Sequence, residues 1–169
     1  MISIRSRKER RLWNLAGAAA VTGLMAYALF AQYVQGYEAC PLCIFQRVAI
    51  MALGIVLLVA GAHAARGHGA KVYSVLGLLA AGIGATIAGR HVYVQSLPPD
   101  QVPECGPGLD YLWEVFPVSE VIEMVLTGSG ECAEVNWVFL GLSMPAWVFL
   151  WFVALGALAV WANWKPLAR

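Results

Sequence analysis

Four long apolar stretches constrain this chain more than any other feature it has. Leu12 to about Val34, Ile44 to about Ala62, Val72 to about Val94 and Met144 to Ala162 are mainly apolar. Each approaches the roughly 20 residues that a helix needs to cross a hydrocarbon core of about 30 Å. Arg90 and His91 interrupt the outer end of the third stretch. With 60% apolar and 12% charged residues the chain is short of the charge that a soluble globule carries, usually about a quarter. The connections Gln35 to Cys43 and His63 to Ala70 are short, which makes successive spans antiparallel neighbours. The expected fold is an all-α membrane protein: one domain over residues 1–169, a four-transmembrane-helix antiparallel bundle with one long external loop, about Gln95 to Ser143.

Charge placement orients the bundle. Arg5, Arg7, Lys8, Arg10 and Arg11 precede the first span, Arg66 and Lys71 lie between the second and third, and Lys165 and Arg169 follow the fourth. Nine of the ten acidic residues fall in the opposite connections, from Glu38 to Glu134. The positive-inside rule then puts both termini in the cytoplasm and both remaining loops outside. The first span is expected to stay as an uncleaved anchor, since it exceeds the 7–15 residues of a signal-peptide core and no clean A-x-A site follows.

A loop as long as the second external one calls for a function. Leu97-Pro98-Pro99-Asp100 and Pro103 to Gly108 are rich in chain breakers. Val118, Val121, Ile122 and Val125 recur at helical spacing among polar residues, predicting a short amphipathic helix that ends at Gly128. Such a helix lies on the membrane surface, packs on the bundle top, or does both. Pro145 suits the first turn of the fourth span. Trp113, Trp137, Trp147, Trp161 and Trp164 fit interfacial belts better than a cofactor cage.

The chemistry is concentrated in four cysteines on the outer side. Cys40-Pro41-Leu42-Cys43 is a close pair where the chain enters the second span, and Cys105 and Cys132 form a distant pair in the long loop. The outer compartment permits disulfides, and an even count there fits oxidation. The partial positive charge of a helix N-terminus favours a thiolate at Cys43, and Arg47 lies one turn on along the same face. Arg47 and Arg90 are the two basic residues absent from the cytoplasmic side; an arginine inside a span is costly and marks function by default. His91, beside Arg90, is a further candidate, whereas His63 and His68 belong to the solvated cytoplasmic turn. No metal ligand set is expected, because the second pair lacks zinc spacing, and haem attachment fails because Ile44 follows Cys43. Two static disulfides stay open as a reading, although a two-residue loop gains little from a staple.

Cys40-Pro-Leu-Cys-Ile-Phe-Gln-Arg47 resembles the C-x-L-C-x-x-x-R signature of the bacterial disulfide bond formation protein B family. Gly130-Glu-Cys132-Ala-Glu, Trp137-x-Phe-Leu-Gly-Leu and Met144-Pro145-x-Trp147 are similar to that family's second-loop region. The bacterial periplasm is kept oxidising by a DsbA–DsbB–quinone chain, a general property of that compartment rather than something these residues show. The resemblance implies an inner-membrane thiol:quinone oxidoreductase with a quinone cofactor, ubiquinone or menaquinone. Its implied partners are a periplasmic thioredoxin-like oxidase of the DsbA type, the respiratory quinone pool and membrane lipid, with no nucleic acid. It further implies that a reduced partner attacks Cys105 of a Cys105–Cys132 disulfide, that Cys132 then attacks Cys40, and that Cys43 is freed beside the quinone. Arg47, with Arg90 and His91, would bind that quinone. The competing reading is a non-enzymatic membrane scaffold whose external loop is braced by disulfides and binds a partner.

Overall fold

The structure, a computed structural model, describes residues 6–104, 106 and 109–164. Cys105 and the basic residues Arg5, Lys165 and Arg169 lie outside the described residues. Four long helices dominate: α1 (Arg7–Tyr33), α2 (Pro41–His63), α3 (His68–Gln95) and, after the long connection, α7 (Met144–Asn163). All four are long and apolar enough to cross a membrane. A helix satisfies every backbone N–H and C=O within its own segment, which hydrocarbon demands because no water is there to do so.

Three of these helices start before the apolar runs do, and capping explains two of the cases. Ser6 accepts a hydrogen bond from the Glu9 N–H through Oγ at 3.2 Å, while its own N–H donates to Glu9 Oε2 at 2.8 Å. This reciprocal capping box winds the basic residues Arg7 to Arg11 into α1. In α2, Cys40 is the N-cap and Pro41 opens the first turn, where its missing N–H costs nothing. In α3 the helix runs unbroken through Arg90 and His91 to Gln95.

Successive helices pack side by side, α1 on α2, α2 on α3 and α3 on α7, and α7 closes the ring against α1. The core holds Leu53, Leu57, Phe152, Leu155 and Ala159. Lipid offers helices no hydrophobic reason to associate, so close packing of small residues has to hold them together. The α3–α7 seam shows this: a Cβ on Gly77 would lie 2.7 Å from the Ala159 Cβ, and one on Gly84 would lie 2.1 Å from Phe152 Cε1. At the α1 N-terminal end, buried Asn14 and Asn163 exchange side-chain hydrogen bonds of 3.1 and 2.9 Å.

Between α3 and α7 lie α4 (Leu109–Val115), α5 (Val118–Thr127), α6 (Gly130–Ala133) and a two-stranded antiparallel hairpin, β1 (Val138–Phe139) and β2 (Leu142–Ser143). The hairpin turns on Leu140 and Gly141, both at positive φ as a two-residue turn of this hand requires. The amphipathic helix expected before Gly128 is α5. Val121 and Val125 are buried, whereas Val118 and Ile122 on its outer side are exposed. The buried pair joins Leu42, Val94, Leu112, Cys40 and Cys132 in a second apolar cluster, so α5 packs on the bundle top. This cluster fixes α6, and with it Cys132, against the start of α2.

Candidate functional site

The first turn of α2 sets the geometry. As N-cap, Cys40 has extended backbone, and its sulfur accepts from the Cys43 N–H at 3.4 Å. The two sulfurs lie 3.1 Å apart as free thiols. They face different surroundings. Cys43 is half-buried and lines a cavity of about 510 Å³ enclosed by α1, α2, the β1 strand and the start of α7. Cys40 is buried and turned toward His91 and Cys132.

His91 sits behind the pair as a hub. Its Nε2 is 3.8 Å from Cys40 Sγ and 3.1 Å from the Cys132 carbonyl, and its Nδ1 is 3.9 Å from Cys43 Sγ. The Gln46 side-chain amide donates to Nδ1 at 2.9 Å, which leaves the proton on Nε2 to be donated to the Cys132 carbonyl. Cys132 is fully buried; its sulfur, Cys40 Sγ and a ring nitrogen of His91 all lie within 4.8 Å of one another. The Cys40 sulfur beside it, and then burial, hold the Cys132 thiol well above the ordinary thiol range.

The cavity has an apolar body and a polar end. Tyr27, Trp137, Phe139, Trp147 and Trp151 supply an aromatic wall, and Leu24, Met25 and Ile50 line the remainder. Cys43, Gln46 and Arg47 supply the polar end. Arg47 is held there by α1: Nη1 donates to Gln32 Oε1 and Nη2 donates to the Ala28 carbonyl at 3.3 Å. An apolar cleft of this size with a few convergent donors has the form of a small-molecule site.

Cys40, Cys43, Cys132, Arg47 and His91 therefore converge, whereas Arg90 is directed elsewhere. Its Nε donates to the Leu126 carbonyl at 2.9 Å and Nη2 donates to the Thr127 carbonyl at 2.8 Å, so the guanidinium caps the C-terminal end of α5. Arg90 is not among the residues lining the cavity, and its two hydrogen bonds tie α3 to the end of α5. Trp137 and Trp147 line the cavity wall, and Trp147 Nε1 donates to the Phe139 carbonyl at 3.0 Å to tie the hairpin to α7. Gln46 and Gln32 were not singled out by sequence. The usable signal was a polar side chain inside an apolar span and, for Gln46, its place one turn from Cys43 on the same face of α2.

Comparison with known proteins places this arrangement in context. The family model described as disulfide bond formation protein DsbB matches residues 10–162. A Hahella chejuensis protein named disulfide bond formation protein B is 52% identical over 143 residues, covering 85% of this chain and 86% of that one. The protein of the same name from Nitrosococcus oceani is 51% identical over 138 residues, covering 82% of each. One from Methylococcus capsulatus is 46% identical over 151 residues, covering 89% of this chain and 92% of the relative.

Proposed function

Because the chain belongs to the disulfide bond formation protein DsbB family, we propose that it is a multi-pass inner-membrane enzyme that makes disulfides by passing electrons from a periplasmic dithiol oxidase to a quinone. The carrying observation is the division of labour within one helical turn: Cys43 borders the cavity while Cys40 faces Cys132. One sulfur serves the cofactor and the other serves the loop.

The thiol chemistry runs by exchange, each step a thiolate attacking a disulfide sulfur. A partner thiolate attacks Cys105 of a Cys105–Cys132 disulfide; that bond breaks and Cys132 leaves with the electron pair. Cys132 attacks Cys40, whose bond to Cys43 breaks, and Cys43 leaves as the thiolate. The partner's second thiol then displaces Cys105, closing the partner's disulfide. Cys105 in turn attacks Cys132, restoring the loop disulfide and freeing Cys40. The net result is two electrons and two protons moved from the partner dithiol to Cys40 and Cys43. His91 and Gln46 hold the Cys40 and Cys132 side in register during the exchange.

The cavity fits a quinone: the aromatic wall suits a flat ring, and Arg47 and Gln46 suit a carbonyl oxygen beside Cys43. Cys43, Gln46 and Arg47 would hold that ring, which when bound would supply the acceptor for the two electrons and two protons given up as the Cys40–Cys43 disulfide re-forms. The protein's part is to bind, orient and polarise that ring. The charge pattern supports a periplasmic position for the loop and both cysteine pairs.

The test is purified protein in detergent, supplied with quinone and a reduced thioredoxin-like dithiol protein. Quinone should be reduced in step with partner oxidation, and Cys43→Ser should abolish this. Partner binding without quinone reduction would leave only a braced scaffold.

A further inference from the structure

We propose that the fully reduced protein holds a redox-gated site for a soft divalent cation such as Zn²⁺, with Cys40, Cys43, Cys132 and His91 as ligands. The spacing of the cysteines in sequence argued against a four-cysteine site. The fold supplies a different set, with a histidine from α3 where a distant cysteine would have stood. Cys40 Sγ, Cys132 Sγ and a His91 ring nitrogen lie within 4.8 Å of one another, all three residues buried, and Cys43 Sγ is 3.1 Å from Cys40 Sγ. Zinc takes three thiolates and one imidazole readily, at about 2.3 Å to sulfur and 2.0–2.1 Å to nitrogen in a tetrahedron. Bonds of that length put neighbouring sulfurs nearly 4 Å apart. Closing the present cluster onto a metal thus needs side-chain movement well under the length of one residue.

The surroundings complete the case. A zinc-bound histidine gives its other ring nitrogen to an orienting acceptor. Gln46 already sits 2.9 Å from Nδ1, and rotation of its amide would present the oxygen to an Nδ1–H while Nε2 turns to the metal. Cys43 borders the open cavity, which provides an entry path. Binding releases three thiol protons and leaves an electron count unchanged, so no oxidant is needed. It requires Cys40 and Cys43 reduced and Cys132 unpaired; either disulfide of the proposed relay removes ligands. On that reading, metal capture holds the enzyme in its reduced form and competes directly with reoxidation.

The experiment uses the full chain in detergent, reduced anaerobically with a phosphine and then titrated with Co²⁺ or, against a chromophoric chelator, with Zn²⁺. No quinone or partner is present, so the outcome is independent of the electron route. Reduced protein should bind one metal per chain with a tetrahedral Co²⁺ spectrum and thiolate-to-cobalt absorption. Oxidised protein should show neither, and Mg²⁺ and Ca²⁺, which prefer oxygen ligands, should not compete. Cys132→Ser and His91→Gln should each weaken Zn²⁺ at least tenfold, Gln46→Leu by roughly 10–100-fold as an orienting residue, and Cys105→Ser should leave affinity unchanged. Equal binding by reduced and oxidised wild type overturns the proposal without any variant. So does wild-type affinity in Cys132→Ser and His91→Gln, which would reveal a bare two-cysteine half-site, or loss of binding in Cys105→Ser, which would reveal a four-cysteine one.

Discussion

Replacing Arg47 should separate quinone binding from thiol exchange. Its guanidinium is anchored by Gln32 and the Ala28 carbonyl on α1 and faces the cavity beside Cys43. A charge-assisted hydrogen bond contributes about 1.5–3 kcal/mol. Losing one such bond to a quinone carbonyl should raise the quinone KM of Arg47→Ala roughly 10- to 150-fold, at about 1.4 kcal/mol per tenfold. Arg47→Lys keeps the charge but replaces a planar fork with a point charge. An ammonium that satisfies the α1 acceptors has no second arm for the cavity, so this variant should fall between, near tenfold by the same arithmetic. The assay is steady-state quinone reduction at varied quinone, normalised to titratable cysteine pairs. Trapping of a resolving-cysteine mutant partner is measured beside it. Trapping should be unchanged, because the proposed point of attack is Cys105 rather than the cavity. Wild-type quinone kinetics in Arg47→Ala would reduce this residue to a link between α1 and α2 and refute its place in the binding site.

Other consequences are equally concrete. Gly84→Ala puts a Cβ 2.1 Å from Phe152 Cε1, and overpacking of this kind costs about 1–3 kcal/mol or more; thermal unfolding should fall clearly, while Gly82→Ala, with nothing within 4 Å, serves as the unchanged control. The raised Cys132 thiol stays protonated at neutral pH, held first by the Cys40 sulfur and then by burial. Since the thiolate is the nucleophile, alkylation of Cys132 in fully reduced protein should climb about tenfold per pH unit above neutrality; a rate flat with pH, followed by mass spectrometry, would contradict that. Gln46→Leu leaves His91 Nδ1 without its partner, a loss of about 1–3 kcal/mol; turnover should drop about tenfold, with partner KM held at the wild-type value.

The bundle was legible because hydrocarbon imposes length and polarity rules that composition alone reveals, and the four runs meet them. The cysteine pair at the start of α2 was legible for a local reason: Pro41 and an N-capping Cys40 specify a helix start within four residues. The direction of each sulfur came only through the family resemblance, not from the residues themselves. Nothing in Cys40-Pro-Leu-Cys43 tells which sulfur faces a cavity and which faces the loop; that depends on α5 and α6 packing over Leu42 and Val94. Arg90 shows the same limit. Its depth matches Arg47, yet tertiary packing aims it at the carbonyls of α5 rather than into the cavity. Trp137 and Trp147 have the composition of a membrane belt, and only the hairpin fold turns them into a cavity wall.

The most direct test of the relay is whether Cys132 reaches Cys40. A Cys43→Ser, Cys105→Ser protein retains those two cysteines alone. Mild oxidation followed by peptide mapping should recover a disulfide between residues 40 and 132, formed in monomeric protein and in high yield. Two free thiols that persist under oxidation, or a disulfide formed only between chains, would contradict the transfer from loop to helix on which the proposed function depends.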